Sequence, residues 1–208
     1  MEKSFFLVED HSLMRQGIVA FLSKLPEFRC AGMAGTAQEF LDVVAQPAGG
    51  LLPDVLVTDL NISGSMGGGI SLIRQCRTNY PSIKIVVYSM YIAASVVSSA
   101  LKAGADAYVS KLSNEEELGT ALREVLAGRS YVDSAVSSQM LAYERSLSLF
   151  SRKEQEILNL VLHGKNNAGI AEALNLKKRS VENYLSRIYD KTGFSSKEEL
   201  VEHYGYIQ

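Results

Sequence analysis

The chain has 208 residues, 47% of them hydrophobic, which is room for one large or two small packed domains. Its net charge of −2 makes no global electrostatic case for nucleic acid or an anionic membrane. Two cysteines, Cys30 and Cys76, without CxxC or nearby His spacing, exclude a cysteine-ligated metal motif and read as small buried apolar residues in a reducing compartment. Charge is slightly uneven: −3 over residues 1–148 and +1 over 149–208. Met1 to Phe5 lacks the basic region and apolar core of a signal peptide, and no apolar run approaches the ~20 residues of a membrane span. A soluble, cytoplasmic protein with no membrane partner is expected.

Ser4 to Val8 is the first strand, ending in Glu9-Asp10. Ser12 opens a helix running to about Leu25, where Pro26 stops it. Phe28 to Met33 is the second strand. Thr36 caps a second helix with Phe40, Leu41, Val43 and Val44 on its apolar face. Gly49-Gly50 and Pro53 form a turn before Val55-Leu56-Val57-Thr58-Asp59, a run apolar enough to be buried on both faces of a parallel sheet. A glycine-rich loop over 62–69 follows, expected to be mobile, and then a helix from Ile70 to Tyr80. Ile83 to Ser89 is the fourth strand, Ala93 to Ala103 a small-residue helix closed by Gly104, and Ala107 to Val109 the fifth strand. Asn114 opens the last helix of this part, with Glu115, Glu116 and Glu117 at the positive end of its dipole.

Strands alternating with helices at this spacing predict an α/β domain over 1–128, a flavodoxin-like parallel five-stranded sheet of order 2-1-3-4-5. Residues 129–148 are serine-rich with a broken apolar period and read as a linker, with a short helix around Val136 to Tyr143. Residues 149–208 are helical throughout: Ser151–His163, Asn167–Leu174, Lys177–Thr192 and Lys197–His203, with Gly164 and Asn175 as breakers. That pattern predicts a small all-α helix-turn-helix domain.

In such a sheet, ligands bind beyond the carboxyl ends of the strands. The first strand ends in Glu9-Asp10 and its neighbour in Asp59, so three carboxylates converge there. Together they repel unless a cation sits among them, and oxygen ligands suit Mg²⁺. The fourth strand supplies the hydroxyl of Ser89 and the fifth the ammonium of Lys111. Metal, lysine and hydroxyl around Asp59 form a setting for a phosphoryl group on that carboxylate. Taken singly, each residue is as readily a cap, a strand end or a surface charge; their placement at successive strand ends favours chemistry.

Glu9-Asp10-His11 with Arg15 and Gly17, Thr58-Asp59-Leu60, Ser89, and the run Gly104 to Lys111 resemble the receiver domain of a two-component response regulator. The resemblance implies Glu9 and Asp10 as Mg²⁺ ligands together with Asp59 and Asn61 (through its backbone carbonyl). It implies Asp59 as phosphoacceptor, Ser89 and Lys111 as phosphoryl-stabilising groups, and Tyr108 as an aromatic switch. The chain departs from the family after Asp59: the usual Met-Pro-Gly turn is replaced by a longer, proline-free run, Ile62 to Gly69.

Phe150 to Leu158, Gly164, Asn167, Ile170-Ala171, Leu174, Ser180-Val181, Ile188 and Gly193 are similar to the LuxR-type helix-turn-helix. With the receiver, they look like the NarL/FixJ class of transcription regulators. In Lys177–Thr192, Val181, Tyr184, Leu185 and Ile188 make a core face, leaving Arg179, Glu182, Asn183, Ser186 and Arg187 outward. Lys177, Lys178 and Lys191 add positive charge, and a basic helix of this kind fits a major groove. Glu182 stands where the family often has Lys, and Gly169 where it usually has Glu. The expectation is a phosphorylation-controlled regulator, not an enzyme, with a histidine kinase and promoter DNA as partners and a homodimer as its active form. An atypical or pseudo-receiver adaptor whose helix-turn-helix binds protein is the alternative. An aspartyl-phosphate hydrolase would want a second acid two residues after Asp59, where Asn61 stands.

Overall fold

The computed structural model describes residues 2–46, 52–62 and 66–204. The expected turn at Gly49-Gly50 and the middle of the glycine-rich run, Ser63 to Ser65, lie outside the described residues. Two compact units are present, residues 1–138 and 139–207.

In the first unit, β1 (Lys3–Val8), α1 (Ser12–Leu22), β2 (Phe28–Ala34), α2 (Ala37–Val44), β3 (Val55–Thr58), α3 (Met66–Asn79), β4 (Lys84–Ser89), α4 (Ala94–Ala103), β5 (Ala107–Ser110) and α5 (Glu116–Leu126) alternate as expected. All strand pairs are parallel. Among the described residues the sheet has six strands rather than five, in the order β2-β1-β3-β4-β5-β6. The extra strand, β6 (Tyr131–Val132), comes from the stretch expected to be linker. Two residues are too few to show a period, and their place is decided by partners: Tyr131 N–H donates to Asp106 and Asp133 N–H to Tyr108. Helix α6 (Ser134–Ser148) occupies the rest of that stretch and is twice as long as the sequence suggested.

The strands of β3 and β4 are buried because helices cover both faces of the sheet. One core joins Phe5, Leu7, Val55, Val57, Val86 and Val109 to Leu22, Leu118 and Leu122 of the flanking helices. Thr36 caps α2 by accepting from Glu39 N–H, and Gly104 ends α4 in the left-handed conformation. Helix α3 begins four residues earlier than expected, so Gly67 to Gly69 are helical rather than loop. A side chain at Gly69 would put Cβ 2.5 Å from Leu60 Cα and 2.6 Å from the Asp59 carbonyl oxygen. The glycine lets α3 press its first turn against the end of β3, where Gly69 N–H donates to Leu60 O at 3.1 Å.

The second unit holds the rest of α6 with α7 (Arg152–Leu162), α8 (Asn167–Ala173), α9 (Lys178–Thr192) and α10 (Lys197–Tyr204). Its core is Phe150, Ile157, Leu158, Val161, Ile170, Val181, Leu185, Ile188, Leu200 and Tyr204, with Tyr143 and Leu147 of α6 packed on it. The helical unit therefore starts before residue 149. Ser151 and Glu154 form a reciprocal capping box at the start of α7, and Asn166 caps α8. Asn175, at φ 50°, makes the turn between α8 and α9.

Candidate functional site

The parallel register brings the carboxyl ends of β1, β3, β4 and β5 to one edge. Backbone bonds tie those ends together: Asp59 N–H donates to Val8 O, Glu9 N–H to Ala34 O and Lys111 N–H to Ser89 O. Asp59 is 5% and Glu9 1% exposed. The Lys111 ammonium lies between them, 2.7 Å from Asp59 Oδ2 and 2.5 Å from Glu9 Oε2. The other Asp59 oxygen, Oδ1, accepts the N–H groups of Leu60 at 2.6 Å and Asn61 at 3.3 Å. Burial of Lys111 opposes its charge, but Asp59 and Glu9 outweigh that and hold the ammonium above its ordinary value.

Asp10 completes the acidic turn. Its Oδ1 is buried without a hydrogen bond, with His11 Nδ1 at 2.8 Å its neighbour. His11 also reaches Glu9 Oε1, at 3.1 Å, and is mostly exposed. Oxygen and nitrogen atoms of Glu9, Asp10 and His11 lie within 4.8 Å of one another. Arg15 donates to the Glu9 carbonyl and pins this turn from α1. Two buried carboxylates thus share one lysine, and the third, that of Asp10, faces the His11 ring. That donor set fits a hard divalent cation.

Ser89 is fully buried, with the Tyr108 phenol beside its hydroxyl. Tyr108 is also fully buried, rather than half-exposed as a strand tyrosine would be. Its hydroxyl lies beside Ser89 and donates to the Tyr91 carbonyl at 2.6 Å; burial pushes the phenol well above its ordinary value. The structure brings Glu9, Asp10, Asp59, Ser89, Lys111 and Tyr108 to one edge and places Asn61 in the turn next to Asp59.

On α9, Val181, Leu185 and Ile188 are buried and Tyr184 half-buried, whereas Lys178, Arg179, Glu182, Asn183, Ser186 and Arg187 are exposed, with Lys177 at the cap just before the helix. Ser180, Asn183, Tyr184 and Arg187 line a concavity of about 200 Å³, and the Arg187 guanidinium lies 5.6 Å from the Tyr184 ring. Lys191 departs from the expected basic face. It bonds Glu154 Oε2 at 2.6 Å and Leu149 O at 3.0 Å, with the Phe150 ring 6.0 Å away. Glu154 is 2% exposed, so Lys191 serves as its counter-charge. Burial works against the Glu154 carboxylate, but Lys191 and the Ser151 N–H hold it below its ordinary range. Helical spacing alone cannot see this partner, which comes from α7.

A family model described as response regulator receiver domain matches residues 5–123, and one described as bacterial regulatory proteins, luxR family, matches 148–204. The chain is 33% identical, over 90% of its own length and 87% of the relative's, to the DNA-binding transcriptional activator DevR/DosR of Mycobacterium tuberculosis. It is 28% identical, over 94% and 92%, to the nitrate/nitrite response regulator protein NarL of Escherichia coli. In fold it is similar to the solved structure of two RcsB dimers bound to two parallel DNAs, with a TM-score of 0.71, 23% identity and 98% of both chains covered. No helix of the described residues is long and apolar enough to cross a membrane. The chain belongs to the response regulators of the NarL/FixJ class, a receiver domain followed by a helix-turn-helix of the luxR family.

Proposed function

We propose that this chain is a DNA-binding transcription regulator of a two-component system, switched by phosphorylation of Asp59. The observation that carries the reading is the placement of Lys111 between Glu9 and Asp59, with the Asp10 carboxylate in the same acidic turn. An Asp59 carboxylate oxygen attacks the phosphorus of a phosphohistidine on the partner kinase. The P–N bond breaks, and its electron pair returns to the imidazole. Lys111 then neutralises a phosphoryl oxygen, and the hydroxyl of Ser89 donates to another. Glu9, Asp10, Asp59 and the Asn61 carbonyl would hold Mg²⁺, which supplies charge neutralisation for the phosphoryl oxygens. Tyr108, inward beside Ser89, is where the β4 and β5 ends sense that group.

The exposed face of α9, with Lys177, Lys178, Arg179, Asn183, Ser186 and Arg187, would enter a major groove, and Glu182 would meet a base or oppose the phosphates. The names of the relatives, a DNA-binding activator and a nitrate/nitrite regulator, support promoter DNA as the target, and the RcsB dimers on DNA support a homodimer as the active form. On this reading the chain is a cytoplasmic regulator rather than an enzyme.

Acetyl phosphate with Mg²⁺ should add one phosphoryl group by intact mass, and Asp59→Asn should abolish it. Labelling of Asp59→Asn to the parental extent refutes the assignment. A parent that labels but shifts no genomic DNA fragment in a gel, with or without the phosphoryl group, would favour the protein-binding adaptor, which the exposed Glu182 permits.

A further inference from the structure

The junction of β6 and α6 carries a carboxylate that the phosphoryl reading leaves unused. Asp133 directly follows Val132 and is 1% exposed. Its Oδ2 accepts the Ser110 N–H at 2.6 Å and the Ser113 hydroxyl at 2.9 Å. Its Oδ1 accepts the Val136 N–H at 3.0 Å, in the manner of a helix cap. Its own N–H donates to the Tyr108 carbonyl at 3.1 Å. The residues gripped by Oδ2 bracket Lys111. The loop between them is closed on itself by Leu112 N–H to Ser110 Oγ and Ser113 N–H to Ser110 O, both at 3.1 Å.

An ordinary N-cap sits near water and serves its own helix. Asp133 is out of water and divides its oxygens between its own helix and a loop 20 to 23 residues earlier. A buried carboxylate is tolerated only when its hydrogen bonds are complete. A shift of the loop that withdraws the Ser110 N–H strands that charge unless Asp133 moves too, and Asp133 holds the first turn of α6.

We propose that Asp133 is a positioning residue that fastens the Lys111 loop to the first turn of α6, so that movement of Lys111 reaches the segment leading out of the receiver. This rests on the reading of Asp59 as phosphoacceptor, since a phosphoryl group there draws Lys111 off its paired carboxylates. Asparagine separates the two grips. Its amide has one acceptor oxygen, and an NH₂ cannot accept. With the oxygen kept on the two loop donors, the NH₂ faces the Val136 N–H and the side-chain cap is lost, leaving that N–H only the Asp133 carbonyl at 3.2 Å.

The test is hydrogen exchange by mass spectrometry on the full chain, with and without acetyl phosphate and Mg²⁺. In the parent, peptides over 110–113 and 134–138 should change exchange together. In Asp133→Asn, Asp59 should label as in the parent and the loop peptide should respond, but the response over 134–138 should fall several-fold. Ser113→Ala, which removes one grip and leaves the cap, should show parental exchange over 134–138 before phosphorylation and a reduced response after it. This variant carries the test if Asp133→Asn does not fold. A labelled parent with no change over 134–138, or variants that transmit as the parent does, overturns the proposal. If the parent never labels, the phosphoacceptor reading has failed instead, and Lys111→Met becomes the perturbation. Faster exchange over 134–138 in that variant than in the parent, with no such increment when Lys111→Met is added to Asp133→Asn, upholds the fastening; parental exchange overturns it.

Discussion

Lys111 and Lys191 are both lysines drawn onto buried carboxylates, and the surroundings give them opposite roles. Lys111 serves Glu9 and Asp59 at once, while the third carboxylate, Asp10, has the exposed His11 ring rather than a lysine beside it. Negative charge is in excess there, and the pocket is ready for a cation or for chemistry. Lys191 serves Glu154 alone, and the same carboxylate is already bonded by the Ser151 N–H at 2.7 Å. Charge balances, the cap is complete, and the pair holds α9 to α7. A lysine's role is thus read from the carboxylates around its ammonium, not from its position on a helical wheel.

The comparison is tested hardest at Lys111. Lys111→Met leaves two buried carboxylates facing each other and should cost about 3–5 kcal/mol at pH 7 by urea unfolding. The ammonium is held above 10.5, so its contribution is fully present below that pH and is lost as pH rises through the raised value. Asp10→Asn should have the opposite sign, raising stability without Mg²⁺ and weakening stabilisation by added Mg²⁺. Destabilisation by Asp10→Asn would break the excess-charge argument.

Lys191→Met should cost less, about 2 kcal/mol, because its side chain is 37% exposed and its charge is screened. DNA affinity of the folded protein should stay near parental, whereas Arg187→Ala should lose affinity and keep stability. A large affinity loss in a folded Lys191→Met would return that lysine to the DNA face. Glu154 is held below 4.5, so its pair stabilises above that pH and fails as pH falls through the lowered value. Parent and Lys191→Met melts should converge there.

Gly69→Ala should cost about 1–3 kcal/mol, because its Cβ would overlap the Leu60 backbone and the Asp59 carbonyl. Labelling of Asp59 should slow alongside. Parental stability and labelling would mean that α3 can retreat freely from β3.

The smallest effect on stability belongs to Glu182→Lys, within about 0.5 kcal/mol for an exposed site. Its readout is DNA: if the carboxylate opposes phosphates, binding to all sequences tightens and the salt dependence steepens by roughly one to two contacts. If it reads cytosine, the true site weakens by ~1–3 kcal/mol while random DNA gains.

Much of this molecule is legible in the residues themselves. Alternating apolar runs and capped helices place β1 to β5 and α7 to α10 within a few residues, because burial repeats at the period of each element. Glu9, Asp59, Ser89 and Lys111 are legible as a set because parallel strands end at one edge. The glycine run misleads, since composition says loop while Gly69 is demanded by the approach of α3 to Leu60. Tyr108 also escapes a periodic reading, because β5 is covered on both faces.

The sequence by itself determined the order of strands and helices, the acid-rich edge and the core stripe of α9, because these depend on local period and strand ends. Only the tertiary structure decided the sixth strand, the early start of α3, the inward Tyr108 and the fate of Lys191. Each of these depends on a partner outside its own element: Asp106 and Tyr108 for β6, Leu60 for Gly69, Tyr91 for Tyr108 and Glu154 for Lys191. A hydrogen bond or ion pair across that separation leaves no period in either segment, and its geometry exists only once both have folded.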